Sequence, residues 1–102
     1  MTVRAVTEGL QTQGKDEEIN YKIDTTTWGG SPTSVTVVVL CLDTNIDVTT
    51  IVMPTNSPSV SGDDITLSPL KKLVPGRTYE VQTKFTATAQ VCENKFRVAC
   101  DS

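Results

Sequence analysis

The chain has no histidine among its 102 residues. That removes the usual general base at neutral pH, the commonest metal ligand, and every Ser–His or Cys–His nucleophilic pair. Aromatic residues make up only 5% of the sequence, and no basic patch or aromatic ladder of the kind that binds nucleic acid is present. Nine Lys and Arg residues are interspersed with twelve Asp and Glu residues, for a net charge of −3. No stretch approaches the ~20 apolar residues of a membrane span. The opening Met1–Glu8 lacks the apolar core of a signal peptide. There is no Asn-x-Ser/Thr sequon. Neither nucleic acid nor a membrane is therefore expected as a partner, and cytoplasmic synthesis is the expectation. Phosphate-cradling glycine loops are also missing, so no nucleotide chemistry is indicated.

Cysteine is sparse, with Cys41, Cys92 and Cys100 only. An odd number cannot pair completely within one chain. Cys92 and Cys100 fall on one expected strand, where eight residues span about 26 Å, well beyond disulfide reach. A bridge from Cys41 to either is not signalled, and all three are read as reduced, partly buried thiols. Their spacing does not suit zinc, which needs four ligands. Asp43-x-Asn45-x-Asp47 begins like a calcium loop, but Val48 stands where glycine is needed and Pro54 where the bidentate glutamate belongs. Asp63-Asp64 and Lys71-Lys72 read as solvated turn residues. No catalytic residue, metal or cofactor is assigned, and the chain is not read as an enzyme.

What is present is Val and Thr, β-branched residues that favour strands. No long segment carries a 3.6-residue apolar period. The clearest pattern follows Pro75-Gly76. Tyr79, Val81, Thr83 and Phe85 alternate with Glu80, Gln82 and Lys84, the mark of a half-buried strand. Val91–Cys100 alternates likewise, with Asn94, Phe96, Val98 and Cys100 inward. Ile19, Tyr21 and Ile23 form the inner face of a strand over residues 18–24. The Val-rich stretch of residues 34–42 is apolar on both faces, which predicts cover from a loop or a second subunit over Val38, Leu40 and Leu42. Val48–Met53 and Ile65–Leu67 are read as short strands, and Val60–Asp64 as a turn. Residues 1–14 are read as an N-terminal edge strand or arm, and 15–102 as the sandwich proper. The result is one all-β domain, a seven-stranded β-sandwich.

Two resemblances add to this reading. Leu73-x-Pro75-Gly76-x-x-Tyr79-x-Val81 resembles the corner that precedes the sixth strand of fibronectin type III domains. The resemblance implies an immunoglobulin/fibronectin III-like sandwich with Leu73, Pro75, Gly76 and Tyr79 as a structural corner, the Tyr79 hydroxyl bonding backbone near the turn. Asp16-Glu17-x-x-x-Tyr21-x-Ile23-Asp24-x-x-x-Trp28, the Val-Ser-Gly-Asp turn at residues 60–63, and Pro75-Gly76-x-x-Tyr79 together look like small phage and prophage proteins of the fiber–tail adaptor or minor virion kind. This implies a non-enzymatic virion part, tail- or head-associated, made in the host cytoplasm. Its partners would be other phage virion proteins or further copies of itself. Trp28, Val38, Leu40 and Leu42 are its interface candidates, although for Trp28 a cap on the sandwich is the favoured reading. The alternative is a bacterial carbohydrate- or ligand-binding immunoglobulin-like module using Trp28, Tyr21 and the acidic turn at residues 43–47.

Overall fold

The computed structural model describes residues 2–6, 9–26, 31–87 and 89–100. These residues form nine strands in two sheets, in place of the seven strands expected. In chain order they are β1 Thr2–Val6, β2 Gly9–Gln13, β3 Ile19–Asp24, β4 Thr33–Cys41, β5 Ile46–Asp47, β6 Ser59–Ser61, β7 Asp64–Thr66, β8 Thr78–Ala87 and β9 Gln90–Cys100. A four-residue helix, α1 Thr49–Val52, follows β5. One sheet has the order β1-β3-β7-β6 and the other β2-β9-β8-β4-β5. The protein is thus an all-β, two-sheet domain.

The β8–β9 hairpin is its backbone, paired antiparallel without interruption from Thr78↔Ala99 to Ala87↔Gln90. Alternation sets its faces. Tyr79, Val81, Thr83, Phe85 and Ala87 are buried on β8, while Asn94, Phe96, Val98 and Cys100 are buried on β9. Val37, Val39 and Cys41 of β4 continue the same inner layer. Ile19, Tyr21, Ile23 and Ile65 supply the opposing layer from β3 and β7. Tyr21 and Phe96 meet across the sandwich with ring centroids 5.0 Å apart, at an interplanar angle of 50°. Such tilted aromatic pairs add about 0.5–1.5 kcal/mol beyond simple burial.

Ala89, in the β8–β9 loop, has φ of 59°. A Cβ in that left-handed region costs roughly 1–2 kcal/mol, part of which glycine's greater unfolded freedom returns. Ala89→Gly is therefore expected to raise stability by about 0.5–1 kcal/mol, measured by urea denaturation.

Three segments depart from the sequence reading. Val48–Met53 is a helical turn rather than a strand. Asp47 Oδ1 accepts hydrogen bonds from the Thr49 amide (2.9 Å) and hydroxyl (2.6 Å), which starts the turn against β-branched propensity. The Thr49 hydroxyl in turn accepts the Val39 N–H at 2.8 Å, and Asn56 Nδ2 donates to Val37 O at 3.0 Å. Side chains of this crossing segment thus satisfy backbone groups on β4 beyond its short pairing with β5. Residues 60–64 are not simply a turn. Ser59–Ser61 pairs with β7 about a two-residue loop at Gly62-Asp63.

The N-terminal region contributes an edge strand to each sheet, both parallel: β1 beside β3 and β2 beside β9. Gln13, at the end of β2, is buried. Its Nε2 donates to Leu70 O (2.7 Å) and Glu17 O (2.9 Å), and its Oε1 accepts from the Tyr21 hydroxyl (3.0 Å). This amide ties β2, the following turn, β3 and the 70s crossover together.

Candidate functional site

The candidate site lies at the end of the sandwich where the chain turns into β8. Val74-Pro75-Gly76-Arg77 turns with Arg77 N–H donating to Val74 O (3.2 Å) and Gly76 at φ 83°. Proline second and a positive-φ glycine third is the arrangement of a type II turn. Gly76 N–H donates to Cys100 O and Cys100 N–H to Arg77 O, both at 2.9 Å, which pins the turn to the end of β9. Leu73 is buried beneath it. The Tyr79 hydroxyl accepts the Val74 N–H at 2.9 Å. Burial pushes the Tyr79 phenol above its ordinary pKa, with the Val74 hydrogen bond pulling the other way. Tyr79→Phe is expected to cost about 1 kcal/mol in chemical denaturation, the net value of one hydrogen bond. Unchanged stability would mean that the hydroxyl contributes nothing to the corner.

Beside this corner is a cavity of about 100 Å³. Val48, Ile51 and Val52 from the α1 segment line one part, Val74 and Tyr79 another, and Cys41 a third. The Lys71 N–H donates to Val52 O at 2.8 Å and holds the first two together. Lys72 and Arg77 complete the lining, and both are exposed. Ile51 is 59% exposed and Val74 44%. Ile46, the register partner of Cys41, is 59% exposed. Isolated exposed apolar side chains are ordinary; Ile51 and Val74 are two that line the same cavity.

Cys41 itself is buried. Burial pushes its thiol up, but hydrogen bonds from the Thr44 hydroxyl and amide, the Asp43 amide and the Arg77 side chain outweigh that and leave it below the ordinary thiol value. Among the described residues no carboxylate lines the cavity, so they offer a hole and a cationic rim rather than an acid–base pair.

Of the residues expected at an interface, Val38 and Leu40 share the outer face of β4. Val38 is 37% exposed on the outer face of the five-stranded sheet, with Gln82 as its register partner. Leu40 is half-buried between Asp47 and Glu80. Around them the face is polar, with ion pairs Arg97–Glu80 (3.7 Å) and Lys95–Glu93 (3.6 Å). Of the two covers expected from the Val-rich pattern, a loop of this chain does not bury Val38; a second subunit is the other. Leu42 sits past the strand end, half-buried, its N–H donating to Thr78 O at 2.9 Å. Trp28 lies outside the described residues.

Of the surface expected for carbohydrate or ligand binding, Tyr21 and the acidic turn are described. Tyr21 is fully buried. In the acidic turn, Asp43 Oδ2 accepts from Thr78 N–H at 2.8 Å, and Asp47 is engaged with Thr49. Among the described residues, no group of three or more Cys, Asp or Glu side chains could hold a metal ion.

No protein-family model, curated protein or solved structure matches the chain.

Proposed function

We propose that this chain is a non-enzymatic structural protein acting through protein–protein contacts, a phage or prophage virion part associated with tail or head. It would be synthesised in the host cytoplasm, with other virion proteins or further copies of itself as partners. The sandwich is proposed to be of the immunoglobulin/fibronectin III kind. Strand order supports that: taking β1, β3, β7 and β6 as A, B, E and D, and β4, β8 and β9 as C, F and G, the order of neighbours is the one an immunoglobulin sandwich would have. Tyr79 at the start of β8, bonded to backbone five residues upstream, matches a tyrosine corner. The parallel pairing of β1 with β3 departs from that layout.

The observation that carries the functional reading is the pair of exposed apolar side chains, Ile51 and Val74, that line the end cavity together, which a lone domain has no reason to gather. The virion assignment rests on the sequence resemblance. Its test is mass spectrometry of purified particles from the producing cells. The polypeptide should be a stoichiometric component. Its absence from particles, with recovery only as a free monomer, would overturn the assignment.

A further inference from the structure

We infer that the end cavity receives one branched aliphatic side chain from an extended segment of a partner protein, and that an acidic side chain flanking it sits on Lys72 and Arg77. This rests on the reading of the chain as a protein-contact module and names the chemistry of the contact.

Size selects the anchor. An apolar cavity of about 150 Å³ holds a benzene ring. The present cavity, at about 100 Å³, suits a leucine or isoleucine side chain better than an aromatic one. Its apolar lining comes from Val48, Ile51, Val52 and Val74, so the anchor loses no hydrogen bonds on entry.

Charge selects the flank. Lys22, Lys71, Lys95 and Arg97 each have a carboxylate partner. Among the described residues Lys15, Lys72, Arg77 and Lys84 have none, and of these Lys72 and Arg77 line this cavity. The neighbouring carboxylates of Asp43 and Asp47 are already occupied by the Thr78 and Thr49 backbone N–H groups. A second cation on the anchor's flank would meet two like charges.

Area selects a segment over a globular surface. A stable interface between folded proteins buries about 800 Å² on each side. Here two exposed apolar side chains, Ile51 and Val74, line one small hole, while the adjoining sheet face is charged. That is enough for a single anchored strand of chain and too little for a second copy of the domain.

The test is amide-resolved NMR of the full chain titrated with the blocked peptide Gly-Glu-Leu-Glu-Gly. Gly-Lys-Leu-Lys-Gly and Gly-Glu-Gly-Glu-Gly serve as controls. The acidic leucine peptide should shift the amides of Val48, Ile51, Val74 and Arg77, and both controls should bind at least about tenfold more weakly. Joint Lys72→Gln and Arg77→Gln substitution, at exposed sites, should weaken the acidic peptide about tenfold and leave the rest of the spectrum unchanged. Equal shifts from the lysine control, shifts spread over the β-sheet face, or none at millimolar peptide would overturn the inference. Failure here with the chain present in particles discards the partner chemistry alone. Peptide binding with the chain absent from particles discards the virion assignment alone.

Discussion

Phe96→Ala is expected to destabilise the domain by about 3–5 kcal/mol, enough to leave a large unfolded fraction at physiological temperature. Phe96 is 1% exposed and sits on β9 of the five-stranded sheet. Its ring meets Tyr21, which is fully buried on β3 of the other sheet. The pair therefore joins the two layers. Truncation removes the transfer energy of the ring, leaves a cavity that neighbouring strands cannot close, and deletes the aromatic contact. The effect is read by urea denaturation with far-UV circular dichroism. A loss below about 1 kcal/mol would mean that the sheets do not pack through this pair.

Asn94→Leu is expected to act in the opposite direction, raising stability by about 1–3 kcal/mol. Asn94 is fully buried, and neither Nδ2 nor Oδ1 has a hydrogen-bond partner among the described residues. Its register partner Thr83 is also fully buried, and the Thr83 hydroxyl is likewise unpartnered. Each such group forfeits its hydration on folding without compensation. Leucine has nearly the same shape, carries no polar atoms, and would face the same inner layer as Phe85 and Phe96. Most core substitutions destabilise, so the sign is a sharp criterion. A fall of more than 1 kcal/mol on the same denaturation curve would mean that the amide meets partners beyond the described residues.

Much of the fold was readable because period-two alternation survives in the strands that face the core. Tyr79–Phe85, Asn94–Cys100 and Ile19–Ile23 place their buried residues where the pattern puts them, except Asn20, which is buried off the pattern with its Nδ2 donating to Leu67 O. The α1 turn was not readable. Val48, Thr49, Thr50, Ile51 and Val52 all favour strands by propensity, and the Asp47 side chain overrides them through a local hydrogen bond. The first two strands were obscure for another reason. Parallel edge pairing requires no tight turn, so no Gly, Asn or Pro signature marks it. No local pattern marks Gln13 as buried, because its acceptors, Leu70 O and Glu17 O, are brought to it only by tertiary structure.

The candidate site was half legible. Residues 73–79 announced a corner, and the corner is there as a turn, a buried Leu73 and a hydrogen-bonded Tyr79. The cavity beside it draws on Cys41, the 48–52 segment and residues 72–79, which no linear pattern associates. Val38 and Leu40 drew notice as excess apolar residues on a strand. Their surroundings are polar because β8 and β9 present Glu80, Gln82, Lys95 and Arg97 to the same face.

The measurement that bears most directly on contact through this end of the sandwich uses the paired substitution Ile51→Asp and Val74→Asp. Both positions are well exposed, so the folded domain should keep its stability to within about 0.5 kcal/mol per site. The account predicts a folded variant that is lost from purified particles while the parent chain is retained. Incorporation of the folded variant at the parent's level would contradict it.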